Sequence, residues 1–182
     1  IGDNGDKQVV AVCSEEGLAL LLCQLAIMQA NCVFLLVDPT LPHERISYLL
    51  SDSAAVLLLC ESSPSFEPNV PLMEIFEHAI VEACDPADDA LSELFSPHLA
   101  QQLMYICYTS GSTGRPKGCA ISRASLHAYA HSNAQAHGMG STSRILLASA
   151  VSFDPCIGEA WTALLAGGTL CLPSRAMVKA SL

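Results

Sequence analysis

The sequence predicts an α/β fold, a mainly parallel sheet flanked by helices. Two observations lead there. Short, largely apolar runs recur at 7–13, 32–37, 54–60 and 103–108, and stretches of helical length separate most of them. Uninterrupted rather than alternating apolar residues suit strands covered on both faces, and strands that alternate with helices imply parallel crossovers. The chain has 182 residues and is 51% hydrophobic, enough to bury a sizeable core.

Residues 7–13 (KQVVAVC) read as the first strand. Ser14 is the expected N-cap of a helix to about Ala30, with Glu15 and Glu16 complementing its first-turn dipole. That helix is apolar nearly all round, as one sandwiched between a sheet and another layer would be. Residues 17–37 carry no charge, yet Gln24, Gln29 and Asn31 interrupt them and acidic residues flank them, so helix then strand is expected rather than a membrane span. Residues 32–37 (CVFLLV) are the second strand, ended by Asp38-Pro39. Pro42 suits the first turn of a helix to about Leu50, and residues 54–60 (AAVLLLC) form the third strand. Residues 61–97 are an acidic, Pro-rich connection in which 70–76 adds at most one strand. Beyond it, strand 103–108, an extended stretch 119–122, helix 123–136, strand 144–149, helix 155–166 and strand 169–172 complete the reading.

Charge narrows the function. Eight Lys plus Arg stand against 18 Asp plus Glu, a net charge of −10, which disfavours a nucleic-acid or anionic-membrane partner. The charge is partitioned along the chain. Residues 46–93 hold ten acidic groups and no Lys or Arg, whereas 94–153 hold Arg115, Lys117, Arg123 and Arg144 and no acid. The low charged fraction, 14% against about 25% in an average soluble domain, predicts a piece of a larger protein whose partner surfaces cover it. Nine Cys without a C-x-x-C pair predict buried, reduced thiols and a cytoplasmic location. No signal or transit peptide is visible at the start.

The chemistry concentrates at 109–118. Thr109, Ser110, Ser112 and Thr113 supply hydroxyls, Gly111, Gly114 and Gly118 let the backbone turn and approach a ligand, and Lys117 adds a mobile cation. These are the parts of a polyphosphate cradle, and the absence of acid around it removes a source of repulsion. The alternative is an ordinary Ser/Gly turn. Walker A, the G-x-S-x-G elbow and the dinucleotide G-x-G-x-x-G are all missing, which argues against a nucleotide kinase, a hydrolase and a nicotinamide enzyme. His127 and His131 share a predicted helix face without an evident third ligand, so no metal site is expected.

The order YTSGSTGRPKG over 108–118 strongly resembles the phosphate-binding signature of the adenylate-forming superfamily, in the form found in nonribosomal peptide synthetase adenylation domains. ANCVFLLVDP (30–39) is similar to the family's AGAAYVPLDP. His43, Glu44, Arg45, Ile46, Leu49, Asp52 and Ser53 resemble PxxRIxxxLxDS, and the segment from Phe153-Asp154 resembles FDxSVWEIFxALLxGATL. Almost the whole chain is covered. The resemblance implies ATP-dependent activation of an amino acid or related carboxylate as an acyl-adenylate with release of pyrophosphate. Transfer to a carrier-protein phosphopantetheine thiol, or to CoA, follows in the parent protein.

On this resemblance Thr109, Ser110, Gly111, Ser112, Thr113 and Gly114 contact the β- and γ-phosphates, Lys117 neutralises charge, and Mg²⁺ accompanies ATP with ligands largely outside the chain. Asp154 pairs with the substrate ammonium, the plain alternative being a helix N-cap. Cys156 replaces the usual Ser, and Gly158 replaces a pocket side chain, often Trp, so room for a bulky substrate is expected. Arg123 stands where the family has His, and Phe34 aligns loosely with a family aromatic. The segments for adenine, ribose, Mg²⁺ and the catalytic Lys would follow Leu182, so the resemblance places no catalytic residue here. The expectation is an N-terminal core fragment, inactive alone. The rivals are a catalytically dead interaction module and an acyl-CoA ligase or aminoadipate-reductase-type adenylation domain.

Overall fold

The computed structural model describes residues 7–15, 17–75, 90–110 and 115–173. Six strands form the main sheet: β1 Val9–Cys13, β2 Val33–Val37, β3 Ala55–Cys60, β4 Leu72–Glu74, β5 Leu103–Thr109 and β6 Lys117–Ser122. Their spatial order is β4-β3-β1-β2-β5-β6, parallel throughout except for the antiparallel β5–β6 pair. The helices are α1 Leu18–Gln29, α2 His43–Asp52, α3 Ala90–Leu94, α4 Arg123–Ala136 and α5 Asp154–Leu165, with a 3-10 turn at Pro97–Leu99.

β1 is buried along its whole length and paired on both edges, which is why its sequence needs no alternation. The chain steps from β1 to β2 through α1 and returns across β1 to β3 through α2. Right-handed crossovers taken in opposite directions put their helices on opposite faces, and the core divides accordingly. Val10 and Val12 pack with α1, α4 and α5 on one face, while Ala11 and Cys13 pack with Ile46, Leu49 and Leu50 of α2 on the other. The stretch 17–37 is thus a helix followed by a strand, and no described helix is long and apolar enough to cross a membrane.

Buried polar contacts tie the layers together. The Trp161 indole N–H of α5 donates to Gln24 Oε1 of α1 at 3.0 Å, both side chains being buried. Such a bond contributes about 1 kcal/mol net, and losing either partner costs more because the other is left unsatisfied. Arg123, 1% exposed, donates to the carbonyls of Leu94 at 2.7 Å and Met28 at 3.0 Å. The buried guanidinium, its pKa lowered by desolvation, joins the ends of α1 and α3 to the start of α4.

Several expectations are corrected. Ser14 is not an N-cap: α1 starts at Leu18 after Gly17, without a side-chain cap bond, and the Ser14 hydroxyl instead donates to the Glu61 carboxylate at the end of β3. α1 is not fully sandwiched, since Leu18 and Leu22 are only half-buried. Pro42 is the N-cap of α2 rather than a first-turn residue. β7 Arg144–Leu146 ends three residues early and pairs in parallel with β8 Thr169–Cys171 as a separate two-stranded sheet. Cys119 is exposed and Cys32 and Cys171 are half-buried, whereas Cys13, Cys23, Cys60, Cys107 and Cys156 are buried; burial pushes the Cys23 and Cys107 thiols up to about 11. β4 supplies the one strand expected in the acidic connection, whose residues 76–89, with Cys84, lie outside the described residues.

The four long helices each end on a residue with positive φ just past the C-cap: Asn31 at 59°, Ala54 at 54°, Gly138 at 62° and Gly167 at 67°. Gly and Asn tolerate this conformation, but an ordinary L-residue with a Cβ costs about 1–2 kcal/mol there. Ala54 is therefore strained and, being exposed, replaceable. Ala54→Gly is expected to stabilise the protein by about 0.5–1 kcal/mol after the added unfolded-state entropy of Gly. A denaturant melt with a higher midpoint and unchanged slope checks this; an unchanged or lower midpoint contradicts it.

Candidate functional site

β5 organises the site. Its final residue Thr109 is the register partner of Lys117, the first residue of β6. The two strands thus close the intervening loop and hold Lys117 beside the exposed Thr109 and Ser110. Residues Gly111, Ser112, Thr113 and Gly114 lie outside the described residues. The base of the loop is pinned from below by α2. The Tyr108 hydroxyl donates to Asp52 Oδ2 at 2.7 Å, and the Tyr48 hydroxyl lies 3.3 Å from Asp52 Oδ1 and 3.2 Å from the carbonyl of buried Pro116. Asp52 thus places a carboxylate near the loop, and two phenols already engage it.

Alternation along β5 sends Tyr105 to the opposite face. Its ring stacks on Phe34 at 5.4 Å with an interplanar angle of 13°, and its hydroxyl donates to Asp154 Oδ1 at 2.8 Å. Phe34 is therefore a core residue that supports Tyr105 rather than a wall of a pocket. Asp154 is not the N-cap either: Phe153 holds that position and Asp154 is the first residue of α5, with an exposed side chain. Glu159 fixes the approach to it by accepting from the amides of Ala148 at 2.9 Å and Ser149 at 3.1 Å and from the Ser149 hydroxyl at 2.6 Å. A cavity of about 360 Å³ opens beside Asp154, lined also by Tyr105, Ser125, Tyr129, Pro155 and Gly158. The room expected at Gly158 is occupied, because the Tyr129 ring lies against that backbone.

The electrostatic picture drawn from the sequence changes in space. Arg115 and Lys117 flank the loop, but Arg123 is buried past the far end of β6 and Arg144 sits on β7 in the separate sheet. At about 3.4 Å per residue, Arg123 is roughly 20 Å along the strand from Lys117. Only two of the four cations therefore lie beside the loop. His127 and His131 stack with centroids 6.5 Å apart, and among the described residues no group of three His, Cys, Asp or Glu is arranged to hold a metal ion.

The family model described as AMP-binding enzyme matches residues 3–181. The chain belongs to the AMP-binding enzyme family. Within it, the chain corresponds to an N-terminal part of a nonribosomal peptide synthetase-type adenylation domain. It is 34% identical over 173 residues to nonribosomal peptide synthetase 4 of Gibberella zeae, covering 92% of this chain and 2% of that protein. It is 36% identical over 167 residues to AMB antimetabolite synthetase AmbB of Pseudomonas aeruginosa, covering 90% of this chain and 13% of that protein. The fold is like that of the N-terminal subdomain of Klebsiella oxytoca NpsA in complex with 3-hydroxyanthranilyl-AMSN. There the TM-score is 0.75 at 24% identity, over 92% of this chain and 41% of that one. The chain thus spans a small part of the length of these curated relatives.

Of the residues singled out from sequence, the structure groups Thr109, Ser110 and Lys117 at one end of β5–β6, and Asp154 with Gly158 in one cavity. Sequence reasoning missed Tyr48, Tyr105 and Tyr129. A tyrosine inside a buried strand such as LMYICY is a usable signal, since its hydroxyl needs a partner. Burial first, and the bond to Asp154 second, raise the Tyr105 pKa above its ordinary value of 10; burial and Asp52 do the same for Tyr108. The neutral phenols are favoured by folding, so the associated stability is complete below about pH 10 and is lost as pH rises beyond it. Denaturant melts are expected to show falling stability above pH 10, with a shallower fall in Tyr105→Phe; equal slopes in the two proteins would contradict this.

Proposed function

We propose that the chain is the N-terminal part of an amino-acid-activating enzyme that converts an amino acid and ATP to an aminoacyl-adenylate and pyrophosphate. The observation that supports this reading is that β5 contacts both candidate recognition elements. Tyr105 holds Asp154 at one level of the strand, and Thr109 with Lys117 forms the mouth of the loop four residues further on. That separation is about 13 Å along the strand, a span suited to an amino acid joined end to end with a triphosphate.

The chemistry follows from charge. The substrate carboxylate attacks the α-phosphorus, its oxygen forms the new P–O bond, and the bond to the β-phosphate breaks with pyrophosphate as leaving group. Negative charge develops on the leaving β- and γ-phosphates, where the Thr109 and Ser110 hydroxyls, the loop 111–114 and the Lys117 ammonium would receive it. Asp154 accepts the substrate ammonium through the oxygen that Tyr105 leaves available, since Tyr105 engages Oδ1 alone. This pairing favours an amino acid over a plain fatty or aryl acid. Bound Mg²⁺ would offset triphosphate charge beyond the reach of one Lys. In the parent protein the acyl group then passes to a carrier-protein phosphopantetheine thiol, in the reducing cytoplasm that the free thiols suit.

Amino-acid-dependent ATP–pyrophosphate exchange by the full-length protein tests both roles. Charge-assisted contacts of this kind contribute about 1.5–3 kcal/mol, so Lys117→Ala and Asp154→Asn are each expected to reduce exchange by about 10–100-fold. For Asp154→Asn the loss should appear mainly against amino acid, and for Lys117→Ala against ATP. Exchange that survives either change undiminished would remove that residue from the proposed machinery.

A further inference from the structure

We propose that Tyr129, on α4, sets the size of the amino-acid side chain the pocket accepts, taking the place of the side chain that residue 158 lacks. The inference rests on the reading of the Asp154 cavity as the substrate pocket. Its starting point is a glycine that the backbone does not require. Gly158 lies in the interior of α5, where Gly costs about 1 kcal/mol relative to Ala, and it is not among the residues with positive φ. Space explains it instead. A Cβ at 158 would lie 2.7 Å from Tyr129 Cε1, 3.2 Å from Cζ and 3.1 Å from Oη. The tyrosine ring therefore rests directly on the helix backbone, and a Cβ at 158 would force the ring to move.

The ring and the glycine line the same cavity as Asp154. A substrate whose ammonium pairs with Asp154 would direct its side chain into the space that Tyr129 bounds. Among the described residues, Asp154 is the one charged member of this lining, which is otherwise Tyr105, Tyr129, Ser125, Pro155, Gly158 and aliphatic groups. A charged substrate side chain would lose hydration there without gaining a dedicated counter-ion. The described part of the lining thus suits an α-amino acid with an uncharged side chain, and on this side its size is bounded by a residue distant from Gly158 in sequence. Tyr129 is half exposed, so its truncation removes pocket wall rather than core.

The test is ATP–pyrophosphate exchange by the full-length protein with a panel of uncharged amino acids graded by size. Small volume changes in an apolar pocket shift preference by about 10–200-fold. Tyr129→Ala is therefore expected to raise the ratio of kcat/KM for tryptophan or phenylalanine over the best wild-type substrate by about tenfold or more. Gly158→Leu should lose exchange in the wild-type background and recover it when combined with Tyr129→Ala, which also guards against a variant that merely misfolds. An unchanged size preference in Tyr129→Ala, with wild-type exchange intact and reduced by Asp154→Asn, would overturn the role of Tyr129 alone. Absence of exchange with every amino acid in the wild type would overturn the underlying activation reading and this inference with it.

Discussion

The constraint on which the site depends is that one strand must satisfy two phenols on opposite faces, Tyr105 buried and Tyr108 half-buried. Tyr105 stacks on Phe34 and reaches Asp154, while Tyr108, three residues on, reaches Asp52. Each hydroxyl has a carboxylate partner, so neither face of β5 carries an unsatisfied phenol. The result is a strand locked in rotation and in height. Because Thr109 continues this strand and Lys117 is its register partner, the position of the proposed phosphate mouth follows from contacts made deeper in the sheet.

Helix α5 is held as firmly on its own side. Gln24 receives the Trp161 indole N–H, and Glu159 gathers two amides and a hydroxyl of the segment that leads into Asp154. Asp154 can therefore remain exposed without wandering. A carboxylate at the first position of a helix also interacts favourably with the helix dipole. If Asp154 is the acceptor proposed above, it is held in place before a substrate arrives, so little ordering has to accompany binding.

Much of the architecture is legible in the sequence because strands buried on both faces announce themselves as continuous apolar runs, as 32–37 and 54–60 do. The loop is legible for a different reason, its dense order of hydroxyl, glycine and lysine residues. What is not legible depends on contacts between segments far apart in the chain. Ser14 has the local pattern of a cap, but Glu61, 47 residues away, takes its hydroxyl. The positive interval 94–153 has the pattern of a field around the loop, yet folding sends Arg123 into the core and Arg144 to another sheet. Gly158 suggests empty space because no local pattern reveals that Tyr129 fills it.

The central claim is that β5 and α5 together present an ammonium acceptor and a phosphate mouth to one bound reaction partner pair. The most direct measurement is a crystal structure of the full-length protein with its amino acid and a non-hydrolysable ATP analogue. The account predicts the substrate ammonium on the Asp154 carboxylate, with Tyr105 still bonded to that group, and the β- and γ-phosphates against Thr109, Ser110 and Lys117. An amino acid bound away from Asp154, or a triphosphate that leaves the β5–β6 loop untouched, would contradict it.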